Sequence, residues 1–272
     1  MNNLIYCYME VVLAYIKSLF NIENQLAENI YELEAIIDGP FVGWESLQLL
    51  VKNSQCTKKI YREKKFKNDR GNIIYRQKIF NDGTIVSECK SKLFSKTARD
   101  FWVKFFLSSE IPATNDFDST PENLIHRYTI DHKDCIIEIG FNQTSKSSWI
   151  EVEKTKNTTK ESFLDTIIDV ISILQQGMFM SKPEYEDVLT LIPLNYAKPV
   201  TLTKNNLREL SEYKFISKKY DGIRIFIIFN LGKIYRIDIK KFVSCIDSTT
   251  EKEITILDCE YVNNIFYIID II

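Results

Sequence analysis

Polar and apolar residues alternate with a period of two along much of the first part of this 272-residue chain. In IYELEAII, residues 30–37, Glu32 and Glu34 alternate with Tyr31, Leu33 and Ala35, which predicts a strand with both carboxylates on one face. The same alternation returns in KKIYREKKF, NIIYRQKIF, TIVSECKSKL, DFWVKFFLSSE, LIHRYTI, CIIEIGF and SWIEVEK, with NDRGN and NDG supplying hairpin turns. These segments predict an antiparallel sheet region. A period of 3.6 replaces it in three places. The opening LIYCYMEVVLAYIKSLF predicts an amphipathic helix, WESLQLL a short one, and 159–179 a third, with Phe163, Ile167, Val170, Ile171 and Leu174 along one face and Gly177 near its end. The proline-containing stretch 180–203 reads as a boundary, and a second sheet-rich unit follows it.

Composition narrows the chemistry. With 45% hydrophobic and 12% aromatic residues the chain can build real cores, and a net charge of −2 excludes a basic DNA-coating protein. A phosphate-binding surface must therefore come from local clustering. The two histidines, His126 and His132, are too few for a histidine-rich metal site. Six cysteines without C-x-x-C spacing suggest neither zinc nor a disulfide framework, and fit a reducing, intracellular setting. Glu10 interrupts the first apolar stretch, which also lacks a basic front region and a cleavage site, so neither a signal peptide nor a membrane association is expected. Carboxylates and lysines are left to carry any reaction.

In strand after strand the charges share a face: Arg76 with Lys78, Glu88 with Lys90 and Lys92, Glu151 with Glu153. A solvated sheet face would explain any one of them. Their recurrence points instead to a closed barrel, which would turn these faces inward into a charged tunnel. Glu32, Glu34, Glu151 and Glu153 would repel one another there unless a divalent cation held them, and carboxylate oxygens suit Mg²⁺ or Mn²⁺.

This arrangement resembles the triphosphate tunnel metalloenzymes, in particular the RNA 5′-triphosphatase domains of viral capping enzymes. YELEAII looks like their first metal strand, WIEVEK like the last, and YRQKI, with Arg76 and Lys78, like the phosphate-binding strand. The resemblance covers roughly residues 28 to 176. It implies metal ligation by Glu32, Glu34, Glu151 and Glu153, phosphate binding by Arg76, Lys78, Lys90, Lys104 and Arg127, and further acidic positions at Glu88, Glu110 and Glu138.

A second signal lies at 217–224, SKKYDGIR. The pattern K-x-D-G-x-R from Lys219 to Arg224 should arise by chance in well below about one chain in a hundred of this length. A charged hairpin turn is the bland alternative. A lysine nucleophile must be desolvated or set beside positive charge, a glycine lets backbone approach a nucleotide, and an arginine can grip ribose or phosphate. The stretch resembles the first motif of covalent nucleotidyltransferases, the mRNA guanylyltransferases and ATP-dependent ligases. That implies Lys219 as nucleophile, with Asp221, Gly222 and Arg224 around the nucleotide. ILDCEYV resembles the family's D-G-E strand, with Glu260 as the ribose or metal contact and Cys259 in place of the usual glycine.

The combined expectation is an α+β chain. Residues 1–180 would form an antiparallel barrel of the triphosphate tunnel type with flanking helices, and 181–272 the N-terminal, incomplete part of a nucleotidyltransferase domain. The order matches the capping enzymes of poxviruses, asfarviruses, baculoviruses and yeast cytoplasmic linear plasmids. It implies mRNA 5′ capping, with triphosphate-ended RNA and GTP as substrates, a viral or plasmid RNA polymerase or a capping-enzyme subunit as partner, and a cytoplasmic location (virus factory, virion or plasmid system). Two alternatives stand beside it: an ATP-dependent ligase-type adenylyltransferase fragment, and a non-catalytic remnant that binds RNA ends or a polymerase.

Overall fold

The computed structural model describes residues 2–25, 31–68, 71–114, 117, 120–192 and 221–272. The chain divides into two compact units, Met1–Pro183 and Glu184–Ile272. In the first, eight strands are joined edge to edge: β1 (Tyr31–Ile37), β2 (Thr57–Lys67), β3 (Ile73–Phe80), β4 (Ile85–Ala98), β5 (Val103–Pro112), β6 (Glu122–His132), β7 (Cys135–Asn142) and β8 (Ser147–Lys154). They close in the order β1-β5-β4-β3-β2-β6-β7-β8, with β8 returning to β1 and every ladder antiparallel. The fold is therefore the closed antiparallel barrel with flanking helices that the alternation implies. Closure also removes the exposed edges that an open sheet would leave for wrong pairing.

The core of this unit lies outside the barrel wall. Leu33, Ala35 and Ile37 of β1, Val103, Phe105 and Leu107 of β5, Ile137 and Ile139 of β7, and Ile150 and Val152 of β8 are all buried. Three helices cover this outer face: α1 (Asn2–Gln25), α2 (Trp44–Asn53) and α3 (Lys160–Leu174). α3 begins at a capping box in which Thr159 and Ser162 satisfy each other's backbone N–H groups, and it buries Phe163, Leu164, Ile167, Val170, Ile171 and Leu174. Phe163 packs edge-on to Phe20 of α1 at 6.1 Å and against Phe105 of the wall at 6.4 Å. With one side of β1, β5, β7 and β8 committed to this core, the period-two pattern leaves the charged side of these strands the lumen.

Two local departures from the sequence reading have simple causes. DFWVKFFLSSE is not one strand, because a short 3-10 turn spans Arg99–Phe101 and Trp102 takes a left-handed conformation (φ 60) before β5 starts at Val103. The stretch read as a boundary holds the division between the units, after Pro183, but also a helix absent from that reading, α4 (Lys182–Thr190); Pro183 falls in its first turn, where its missing N–H breaks no helical bond. The second unit is sheet-rich, as the pattern implies. Its sheet runs β11-β10-β9-β12-β13, from β9 (Ile223–Asn230), β10 (Lys233–Asp238), β11 (Val243–Ser248), β12 (Thr255–Val262) and β13 (Ile265–Ile271). β9 is central and apolar on both faces, with Ile225, Phe226, Ile227 and Ile228 buried. Tyr185 and Val188 of α4 are buried in this unit, and the Tyr185 hydroxyl donates to the Lys241 carbonyl at 3.3 Å.

Among the described residues no helix is long and apolar enough to cross a membrane, and the described cysteines are free thiols. Since Phe163 joins α1, α3 and the wall, Phe163→Ala is expected to lower the unfolding free energy of the barrel unit by about 3–5 kcal/mol, as measured by urea denaturation.

Candidate active site

Residues paired directly across a ladder point to the same side, so the registers assign the lumen wall. Glu34 pairs with Phe106 on one side and Glu153 on the other, Glu138 with Glu151, and Lys90 with Glu110. Arg76 pairs with both Glu88 and Lys65, and Lys78 with Glu63. Continuing around, Arg127 pairs with Lys59 and Gly140, and Gly140 with Trp149. All these positions face inward. The barrel thus encloses acidic residues from β1, β2, β4, β5, β7 and β8 among basic ones from β2, β3, β4 and β6.

Two trios of carboxylates gather on the β1/β7/β8 side. One oxygen each from Glu32, Glu34 and Glu153 lie within 4.8 Å of one another, as do oxygens from Glu138, Glu151 and Glu153. Glu153 belongs to both. Lys90 reaches across from β4, its Nζ standing 2.7 Å from Glu34 Oε2, 3.3 Å from Glu32 Oε2 and 3.5 Å from Glu110 Oε1. Arg76 Nε lies 2.8 Å from Glu88 Oε1 as an ion pair, and Nη2 contacts Glu110. Lys78 lies 2.6 Å from the same Glu88 oxygen. Arg127 contacts Glu138 and sits 3.7 Å from Glu153 Oε1.

The titration behaviour follows from crowding. Burial, then the charges of Glu151 and Glu32, push the Glu153 carboxyl up to about 8, against the pull of Arg127 and Lys90. Glu34 and Glu32 are also raised, first by burial, with Glu151 adding for the former and Glu110 for the latter. Glu110 goes the other way: burial opposes it, but Arg76, Lys90 and Lys78 outweigh burial and hold it below the usual carboxylate range. Burial likewise works against the Lys90 ammonium, and Glu34, Glu110 and Glu32 more than offset it.

The donor set fits a hard divalent cation: each trio offers only carboxylate oxygens, close enough to share one ion and too close to coexist as bare anions. The Ser108 hydroxyl, paired across the ladder with Glu32, is buried and has no hydrogen-bond partner among the described residues. It is a spare donor beside the carboxylates. A cavity of about 170 Å³ opens from this cluster toward the β2–β3 hairpin, lined by Glu34, Glu151, Lys65, Arg76, Lys90 and Phe106 among others.

The structure thus brings together Glu32, Glu34, Glu151, Glu153, Arg76, Lys78, Lys90 and Arg127. Lys104 is the exception: it faces inward by register but pairs with Asp38 at 3.0 Å, half exposed, away from the carboxylates. Glu63, Lys65 and Trp149 also line the lumen without having been singled out in the sequence. The alternation within KKIYREKKF carried the signal for the first two.

In the second unit Lys219 lies outside the described residues. Asp221 is exposed at the start of β9. Arg224 makes a two-pronged contact with Asp258, Nε to Oδ1 at 2.8 Å and Nη2 to Oδ2, and Asp258 is only 3% exposed. The Gly222 N–H donates to Glu260 Oε1 at 2.8 Å. A Cβ on Gly222 would lie 2.4 Å from the Tyr261 carbonyl oxygen, so β9 and β12 meet there only because residue 222 has no side chain. Close backbone approach is met at Gly222, while Cys259 is fully buried on the opposite face with Ile225 and Ile227.

No family model and no curated protein matches this chain. Among solved structures it is similar to the S. pombe RNA triphosphatase Pct1 in complex with the Spt5 CTD, at 13% identity over 65% of this chain and 90% of that one, with a TM-score of 0.40. It is also similar to the PH1012 protein of Pyrococcus horikoshii OT3, at 12% identity over 56% and 93%, TM-score 0.38. A third is the putative adenylyl cyclase HpAC1 of Hippeastrum, whose dominant activity is described as triphosphatase, at 12% identity over 61% and 99%, TM-score 0.35. Likeness at this level assigns no residue a role.

Glu153 keeps its proton in the folded barrel up to about pH 8 but releases it near 4.5 when unfolded, so the folded state binds more protons between those limits. Metal-free protein is therefore expected to lose stability as pH rises from about 5 to about 8. Thermal melts should show Mn²⁺ or Mg²⁺ reversing that loss, with a larger upward shift at pH 8 than at pH 6. Glu153→Gln should flatten the metal-free trend.

Proposed function

We propose that the barrel is a metal-dependent RNA 5′-triphosphatase that removes the γ-phosphate of triphosphate-ended RNA. The observation that carries this reading is the enclosure of two carboxylate trios together with Arg76, Lys78, Lys90 and Arg127 in one closed barrel. A tunnel that sets cation ligands beside guanidinium and ammonium groups suits a polyphosphate chain.

A bound Mg²⁺ or Mn²⁺ would be held by Glu32, Glu34 and Glu153, with Glu151 beside them, and supplies charge neutralisation at the transferring phosphoryl group. The chain's own residues do the rest. Lys90 leaves Glu34 and Glu32 and turns to the phosphate oxygens, joining Arg76 and Lys78 from β3. Arg127 holds the opposite side. A carboxylate of the second trio, Glu138 or Glu151, orients a water for in-line attack on the γ-phosphorus and takes its proton. The P–O bond to the β-phosphate breaks, leaving inorganic phosphate and diphosphate-ended RNA.

The second unit is proposed to begin a guanylyltransferase that consumes this product. Lys219 Nζ would attack the α-phosphorus of GTP, forming a P–N bond and releasing pyrophosphate, before GMP passes to the RNA diphosphate. The support is the sequence motif together with the ordered surroundings that follow it: Gly222 against Glu260, and Arg224 locked by Asp258. The setting this implies is a cytoplasmic capping system, viral or plasmid-borne, working with an RNA polymerase.

Phosphate release from triphosphate-ended RNA should depend on Mn²⁺ or Mg²⁺ and fall at least about a hundredfold in Glu32→Ala and Glu153→Ala. Release that ignores both substitutions would remove the barrel from the reaction. Separately, α-labelled GTP should leave an acid-labile protein adduct that Lys219→Ala abolishes. An adduct formed with ATP and not GTP would turn the second unit into a ligase-type adenylyltransferase.

A further inference from the structure

Among the aromatic side chains of the charged lumen, Trp149 makes an unusual contact. Trp149 precedes Glu151 by two positions on the inward face of β8 and pairs across the ladder with Gly140 of β7. A Cβ on Gly140 would fall 1.9, 2.1 and 2.3 Å from Cζ2, Cε2 and Cη2 of the indole. Three adjacent ring atoms at such similar distances mean that the six-membered ring lies face-down on the Gly140 backbone; an edge-on ring would spread those distances much further. The residue opposite Trp149 must be glycine for the ring to lie flat. Its second face is then turned to the lumen. Among the described residues no ring stacks on it and no cation sits over it.

Its position along the tunnel fits a ligand that carries more than phosphate. Trp149 is four residues from Glu153, about 13 Å along an extended strand, and lies on the side nearer the β2–β3 hairpin. That distance is comparable to the reach from a γ-phosphate across the triphosphate and ribose to the base. The same half of the lumen carries the exposed Lys65, Lys67 and Lys92, and the cavity beside the carboxylates opens there past Gly71 and Asn72. The far half holds Glu32 and Glu153, where a phosphate chain would end. An apolar ring half-buried on a charged wall gains little from packing alone, whereas a flat, sequence-tolerant stacking surface suits any base.

We infer that Trp149, lying on Gly140, stacks on the nucleobase adjoining the triphosphate, so that the tunnel prefers nucleoside-bearing triphosphates over bare inorganic polyphosphate. This rests on the triphosphatase reading and adds the orientation of its substrate: γ-phosphate toward Glu153, nucleoside toward the β2–β3 hairpin.

The test compares kcat/KM for a triphosphate-ended oligonucleotide, GTP and inorganic tripolyphosphate in wild type, Trp149→Ala, Trp149→Phe and Gly140→Ala. Trp149→Ala should lose roughly tenfold more on the nucleoside-bearing substrates than on tripolyphosphate. Trp149→Phe should keep most of the preference, and Gly140→Ala, which displaces the ring, should reproduce Trp149→Ala. Discrimination lost on the oligonucleotide alone assigns the site to RNA ends; loss on GTP as well extends it to any nucleoside triphosphate. Equal losses on all three substrates, or none, overturn the inference. Direct binding of a labelled triphosphate-ended oligonucleotide, read by anisotropy with tripolyphosphate as competitor, separates the two readings. If wild type hydrolyses nothing the triphosphatase reading fails, while binding weakened about tenfold in Trp149→Ala still supports stacking and unchanged binding refutes it.

Discussion

The enclosure of like charges inside a closed sheet is the constraint on which the rest of the barrel unit depends. Burying a carboxylate is costly, and placing several within 4.8 Å of one another costs more. The chain meets this in two ways. Arg76, Lys78, Lys90 and Arg127 pair with the acids within the lumen, and burial and like charge push the Glu153 carboxyl up to about 8. Neither fully satisfies the cluster. The remaining mismatch leaves a set of crowded carboxylate oxygens whose chemistry suits a hard divalent cation.

Such an interior cannot supply folding energy, so the apolar side of the strands must. Leu33, Phe105, Ile139 and Val152 point away from the lumen into a core shared with α1, α2 and α3. Those helices therefore stabilise the site without touching it. The second unit solves a smaller problem of the same kind. Arg224 and Asp258 neutralise each other beside the buried β9, and Glu260 holds the Gly222 amide, so the strand that follows the lysine motif begins from a fixed point.

The strands and their faces were legible in the sequence because a period of two leaves no choice once one face is apolar. YELEAII and WIEVEK placed their glutamates correctly for the same reason. Where the reading fell short, the local pattern conflicted with backbone geometry or carried no information on partners. Trp102 could not continue a strand in a left-handed conformation, Pro183 sits where a helix accepts it, and Lys104 found Asp38 at 3.0 Å. Trp149 was hidden in plain view, since its meaning lies in Gly140, a residue on the neighbouring strand.

By itself the sequence determined the alternation, the helical faces, the acidic and basic inventory and the rare K-x-D-G-x-R pattern, because these depend only on residue order and near-neighbour geometry. Tertiary structure decided that β8 closes onto β1, and with it that Glu34 faces Glu153, that Lys90 reaches two strands' carboxylates, and that an indole lies flat on a glycine. Those are non-local pairings. They follow from register and closure around the whole barrel, which no single segment encodes.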